Sequence, residues 1–174
     1  MGLELRMFGV APFQLGPVHA GIQFQHAATM YERKFHTPLY EDWADNWMTS
    51  IVKNGGSTNT SQDPSRRGTV NKFYDQCIEL GIDAVYFTEI TMGDQITCVA
   101  LIADERTWDL EKFPNIDLSL LGAKDPFDYF NPDFSLPIFS AIDPKEEYNK
   151  WVESVGGRKN VFLRQVLRPM PLWR

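Results

Sequence analysis

Apolar and polar positions along this chain mark out a strand, a helix, a strand, a helix and two more strands, after which the pattern dissolves. Leu3 to Val10 mixes apolar and polar residues in strand fashion and stops at Ala11-Pro12. Gly16 and Pro17 open a helix that runs to about Lys34, with Ala20, Phe24, Ala27, Tyr31 and Phe35 as its apolar stripe. His36-Thr37-Pro38 ends it, because the residue before a proline is disfavoured in the α region. Trp47 to Val52 suits a half-buried pleated surface and reads as the second strand. Val70 to Leu80 has helical apolar spacing, and Gly81 follows as a left-handed cap. Ile82 to Thr88 and Ile96 to Ala103 are strands joined through Met92-Gly93-Asp94-Gln95, a hairpin turn by its chemistry. This order predicts an α/β fold: a small four-stranded mixed sheet flanked by helices, the first three strands parallel and the last returning antiparallel.

Two stretches escape the pattern. Residues 54–68 are almost free of apolar side chains and read as a mobile loop, with Arg66 and Arg67 at its end able to hold an anion. Residues 107–142 repeat Pro, Asp, Asn and Phe without a period and read as an irregular arm that wraps the domain, its aromatics serving as anchors. Asp143-Pro144-Lys145-Glu146 is a helix start with a capping side chain and a proline in the first turn. Tyr148, Trp151, Val152 and Val155 form that helix's buried stripe, Gly156-Gly157 ends it, and Val161 to Leu167 is a further apolar segment. The organisation expected is therefore an α/β domain over 1–104 and an extension over 105–174, made of the arm and a C-terminal helical part.

Composition narrows the function classes. The chain has 174 residues, 43% hydrophobic and 23% charged, with aromatics at 13%, as in an ordinary globular protein. It carries no apolar run of membrane-spanning length and no signal-peptide pattern at its start, so a cytoplasmic protein is expected. Cys77 and Cys98 have no metal-ligand spacing and read as reduced thiols. The net charge of −6 argues against a broad electrostatic footprint for nucleic acid. The charge is uneven, however: residues 154–174 hold Arg158, Lys159, Arg164, Arg168 and Arg174 and no acidic side chain. Such a basic tail can contact phosphates or dock on the acidic segment before it.

The candidate chemistry lies on the first helix. His19, Gln23 and His26 are spaced by four and then three residues, so at about 100° per residue they share one stripe beside the apolar one. Gln23-Phe24-Gln25-His26-Ala27 resembles the Gln-x-x-His-Ala motif of the type-2 peptidyl-tRNA hydrolase family. Residues 74–89, from Tyr74 through Gly81 to Glu89, resemble the family's helix, glycine and strand, and residues 93–101 resemble its closing hairpin with Thr97 as its threonine. The resemblance covers about residues 4–104 and is closest to divergent, hydrolase-like members. It implies a four-stranded mixed sheet flanked by helices and cleavage of the ester between peptide and tRNA without a metal. Two positions depart from it. His19 stands where the family has a lysine, and Pro12 or a close neighbour stands where it has an aspartate.

The resemblance implies His26, Gln23 and Thr97 as catalytic residues, with His26 a general base or a donor to an oxyanion and the other two holding substrate or water. Glu89, at the end of the strand entering the hairpin, is a candidate to replace the aspartate, and His19 to replace the lysine. Arg66, Arg67, Arg158 and Lys159 are candidates to hold nucleic-acid phosphates. No metal or cofactor is expected, because His19 and His26 lack a carboxylate on their stripe and no phosphate loop or dinucleotide fingerprint is present. Two readings stand side by side. One is an esterase acting on peptidyl- or aminoacyl-tRNA. The other is a catalytically degenerate hydrolase-like module that binds an RNA, or a protein partner through residues 105–174, of the kind a phage or other mobile element encodes.

Overall fold

Leu5–Ala11 (β1) alternates so that Leu5, Met7 and Ala11 face one side while Phe8 and Val10 face the other, and all five are buried. A strand buried on both faces belongs in the middle of a sheet covered by helices on each side. The computed structural model of this protein, which describes residues 2–136 and 143–173, places it there. The helix Pro17–Lys34 (α1) follows β1, and a short helix, Pro38–Asp42 (α2), is capped by the Thr37 hydroxyl. Strand Ser50–Asn54 (β2), helix Thr69–Glu79 (α3) and strands Ala84–Glu89 (β3) and Gln95–Asp104 (β4) complete the sheet. Its order is β2-β1-β4-β3. β2 pairs with β1 in parallel, from Met7 opposite Ser50 to Ala11 opposite Asn54. β4 is antiparallel to both of its neighbours, as the hairpin and crossovers predict.

The second strand begins later than Trp47. Trp43–Trp47 instead form a single wide helical turn that ends at Met48 in the left-handed region, with φ at 48°. Both tryptophan rings pack against the core on the α1 side, and the Trp43 indole donates to the Thr49 carbonyl. Aromatic residues suit strands in general, but here the core claims the rings and bends the chain.

α1 and α3 cover opposite faces. On the α1 face, Ala20, Ala27 and Tyr31 meet Leu5, Met7, Ala11, Val85, Cys98, Ala100 and Ile102. The Phe24 ring lies so close to Gly9 of β1 that a Cβ at that position would overlap it. α3 turns Val70, Phe73 and Cys77 toward the other face, over β3 and β4.

The chain divides into two compact units, one made of the residues to Asp104 with those from Met170 onward, the other of Glu105–Pro169. The return of the last residues is not legible in the sequence. Asn54 N–H donates to the Pro171 carbonyl, Trp173 N–H to the Val52 carbonyl, and Leu172 bridges to Lys53, so this segment lines the outer edge of β2. In the second unit the helices Pro144–Ser154 (α4) and Arg158–Leu167 (α5) follow the irregular segment. Asp143 caps α4 by accepting from Lys145 N–H, as its sequence predicts. The aromatics of the segment, among them Phe113, Tyr129, Phe130 and Phe134, pack on Tyr148, Trp151, Val152 and Val161 of the two helices. Residues 137–142 of the expected arm and Arg174 of the basic tail lie outside the described residues. No described helix is long and apolar enough to cross a membrane.

Candidate active site

Strands β1, β2 and β3 run the same way, so their carboxyl ends, the start of α1 and the β3–β4 hairpin gather at one end of the sheet. Ligands of open α/β sheets are commonly met at this end. Gln23 lies on the second turn of α1 and is buried, although it is polar. Its Oε1 accepts a 2.7 Å hydrogen bond from the Thr97 hydroxyl, and its Nε2 donates to the Glu89 carboxylate at a longer 3.4 Å. Gln23, Thr97 and Glu89, drawn from three elements, therefore form one connected polar cluster.

A bulge makes this contact possible. The β3–β4 register shifts between Phe87, opposite Cys98, and Thr88, opposite Ile96, so Thr97 is the extra residue. Strict alternation would put Thr97 and Cys98 on opposite faces. With the bulge, both turn toward α1: Cys98 into its core, the Thr97 hydroxyl onto Gln23. Re-aiming one side chain in this way is a recurrent use of bulges near sites.

His26 lies one turn beyond Gln23, exposed, with its imidazole stacked on Phe87 at 4.7 Å between ring centroids. The Phe87 carbonyl also lies 3.2 Å from the Thr97 hydroxyl, so one residue supports both the histidine and the threonine. His19 is exposed in the first turn of α1 and does not join the cluster.

The basic candidates fall in both units, two in each. Arg66 is exposed, 3.8 Å from the Asp63 carboxylate. Arg67 is held by both oxygens of Asp75 and donates to the Ser61 carbonyl. In the second unit the Arg158 guanidinium lies over the Phe130 ring, 4.4 Å from its centroid, and Lys159 is exposed on the first turn of α5. Among the described residues no three His, Cys, Asp or Glu side chains gather as metal ligands would.

No known family model matches the chain, and no curated protein sequence matches it.

Sequence reasoning missed what organises the 54–68 loop. Asn71, buried on the first turn of α3, accepts from the Thr58 hydroxyl and from Asn59 N–H, and donates to the Asn59 carbonyl. Thr69 receives Ser57 N–H, and Asn59 accepts from Gly68 N–H. The loop expected to be mobile is thus folded onto the start of α3. Its polar composition conceals this, because backbone groups and one buried amide do the holding. Between this loop and the sheet, on the face away from Gln23, lies a cavity of about 300 Å³ bordered by Asn71, Tyr74, Tyr86 and Thr88.

Proposed function

We propose that this protein is a peptidyl-tRNA hydrolase-like esterase, cleaving the ester of peptidyl- or aminoacyl-tRNA at the Gln23–Thr97–Glu89 cluster with His26 beside it. The observation that carries the reading is the hydrogen-bonded Gln23, fixed by Thr97 through its oxygen and by Glu89 through its nitrogen. A buried amide tied on both sides is preorganised, which is what a group that positions a reacting water or an ester carbonyl requires. One N–H of Gln23 goes to Glu89, and the second is available as a donor. His26, held in plane by Phe87, accepts the proton as water attacks the ester carbonyl. The acyl C–O bond then breaks, and the ribose oxygen leaves as a hydroxyl by taking the proton back from His26. Arg66, exposed and meeting Asp63 only at 3.8 Å, is suited to a phosphate, whereas Arg67 is already gripped by both oxygens of Asp75. A tRNA substrate would place the protein in the cytoplasm.

One observation favours a second reading, a binding module without turnover. Both ends of the Gln23 amide already make a bond within the protein, and a buried polar group held in this way can be purely structural. Hydrolysis of N-blocked aminoacyl-tRNA by the wild type and by His26→Ala, with filter binding of the same tRNA alongside, separates the two. The esterase reading expects wild-type turnover lost in His26→Ala. Wild-type binding without turnover above the uncatalysed rate gives the module, and turnover that survives His26→Ala removes the site assignment.

A further inference from the structure

Arg164 of α5 is 3% exposed, and among the described residues no carboxylate is paired with it. Its guanidinium donates to the carbonyls of Arg106 and Phe113 and to the Asn115 side-chain oxygen, and its Nε has no partner among the described residues. These partners are neutral. They satisfy donors and pin the irregular segment, but they leave a full positive charge out of water, which is costly unless an opposite charge is near. Burial first, and then the positive charge of Arg168, bring the Arg164 pKa down to about 10.

A cavity of about 270 Å³ opens beside this group. Arg164 and Arg168 supply its charge, Asn115 contributes an amide, and Trp151, Tyr129 and Phe127 supply flat apolar walls. The Arg164 guanidinium lies 5.8 Å from the Trp151 ring centroid, and Tyr129 packs against the same ring at 5.6 Å. Phe127, 79% exposed, lines the same cavity and leaves its ring open to a ligand. Because Asn115 accepts from Arg164 through its oxygen, its NH₂ is left to donate. Arg168 is exposed and has no ion-pair partner among the described residues. The Asp128 carboxylate, which meets Gln165 of the cavity wall, accepts from the Phe130 and Asn131 amides and from the Gln165 side chain.

We infer that this cavity of the second unit binds a small ligand in which a short linker joins an oxyanion to a flat ring, the oxyanion beside Arg168 and Arg164 and the ring against Trp151, Tyr129 and Phe127. The oxyanion supplies the counter-charge that the buried guanidinium lacks. The ring replaces water on aromatic walls, and an arginine beside an aromatic face favours planar partners. The site is independent of the Gln23 cluster, and its test does not depend on ester hydrolysis.

Titration calorimetry on the full chain at fixed ionic strength tests it with four probes: adenosine monophosphate, phenylacetate, adenosine and inorganic phosphate. Adenosine monophosphate or phenylacetate is expected to bind at least tenfold more tightly than adenosine or phosphate, and which of the two prevails distinguishes a phosphate from a carboxylate. Arg168→Gln, which alters an exposed side chain and preserves the fold, is expected to weaken that binding at least tenfold. Phe127→Ala is expected to weaken it severalfold while leaving inorganic phosphate unaffected. The inference is overturned if none of the probes binds, if phosphate or adenosine alone binds as well as the ring-bearing anion, or if Arg168→Gln binds like the wild type.

Discussion

The Thr97 hydroxyl donates a 2.7 Å hydrogen bond to Oε1 of Gln23, across 74 positions of sequence and from the bulge of β4 to the buried side of α1. Thr97 is wholly buried and Gln23 nearly so, so neither finds water if the other is removed. Thr97→Val keeps the shape and deletes the donor, leaving an unpaired buried acceptor. The expected loss is about 1–3 kcal/mol in urea unfolding. The double variant Gln23→Leu/Thr97→Val should lose less than the sum of the singles, by about 0.5–3 kcal/mol of coupling. Additive losses would mean that the bond is not made.

Gly9→Ala places a methyl group where the Phe24 ring lies. Overpacking of this kind costs about 1–3 kcal/mol, read as a fall in thermal midpoint. Adding Phe24→Leu should recover part of the loss, because the smaller side chain vacates the contact. A neutral Gly9→Ala would show that α1 does not sit this close to the sheet.

Asn71→Ala removes the amide that holds residues 58 and 59. A cost of about 2 kcal/mol is expected, as for a buried polar network losing its hub. The more specific outcome is local: brief trypsin treatment should cut the variant after Arg66 well before it cuts the wild type. Equal cleavage rates would argue that the loop does not depend on Asn71.

Cys77 and Cys98 are buried and free, and burial pushes the Cys77 thiol up to about 12 and that of Cys98 up as well. A thiol reagent near pH 8 should therefore label neither in the folded protein and both in denaturant. The sign for stability follows from linkage. A raised folded-state pKa gives a contribution that is complete below the unfolded-state value of 9.0 and is lost as the pH climbs toward about 12. Stability should thus fall on the alkaline side, and Cys77→Ala should flatten that fall.

Much of the sheet was legible because period-2 and period-3.6 patterns rarely conflict in residues 1–104. The limits of α1 follow from Pro17 and from the His36-Thr37-Pro38 stop, and the left-handed Gly81, with φ at 65°, sits where the helix spacing placed a cap. The helical stripe also brought Gln23 and His26 to one side of α1. What escaped the sequence is whatever depends on an exception to a period. Thr97 reaches Gln23 only because one residue too many sits in β4, and alternation assigns it to the other face. Arg164 was legible as a basic residue of a charged tail, but charge counting cannot tell a solvated arginine from one at 3% exposure. The Asn59–Asn71 pairing in the loop uses backbone groups that every residue carries, so no composition reports it.

The segment lining the outer edge of β2 has a consequence for synthesis. Lys53 and Met170, which meet through a 3.0 Å hydrogen bond, are 117 residues apart. While the chain grows on the ribosome, β2 can already pair with β1, yet its other side waits for residues that emerge far later. During that interval it exposes a row of unsatisfied donors and acceptors to any extended peptide nearby. Wrong strand pairing at this edge is therefore open in the interval after β2 has joined β1 and before residues 170–173 have emerged.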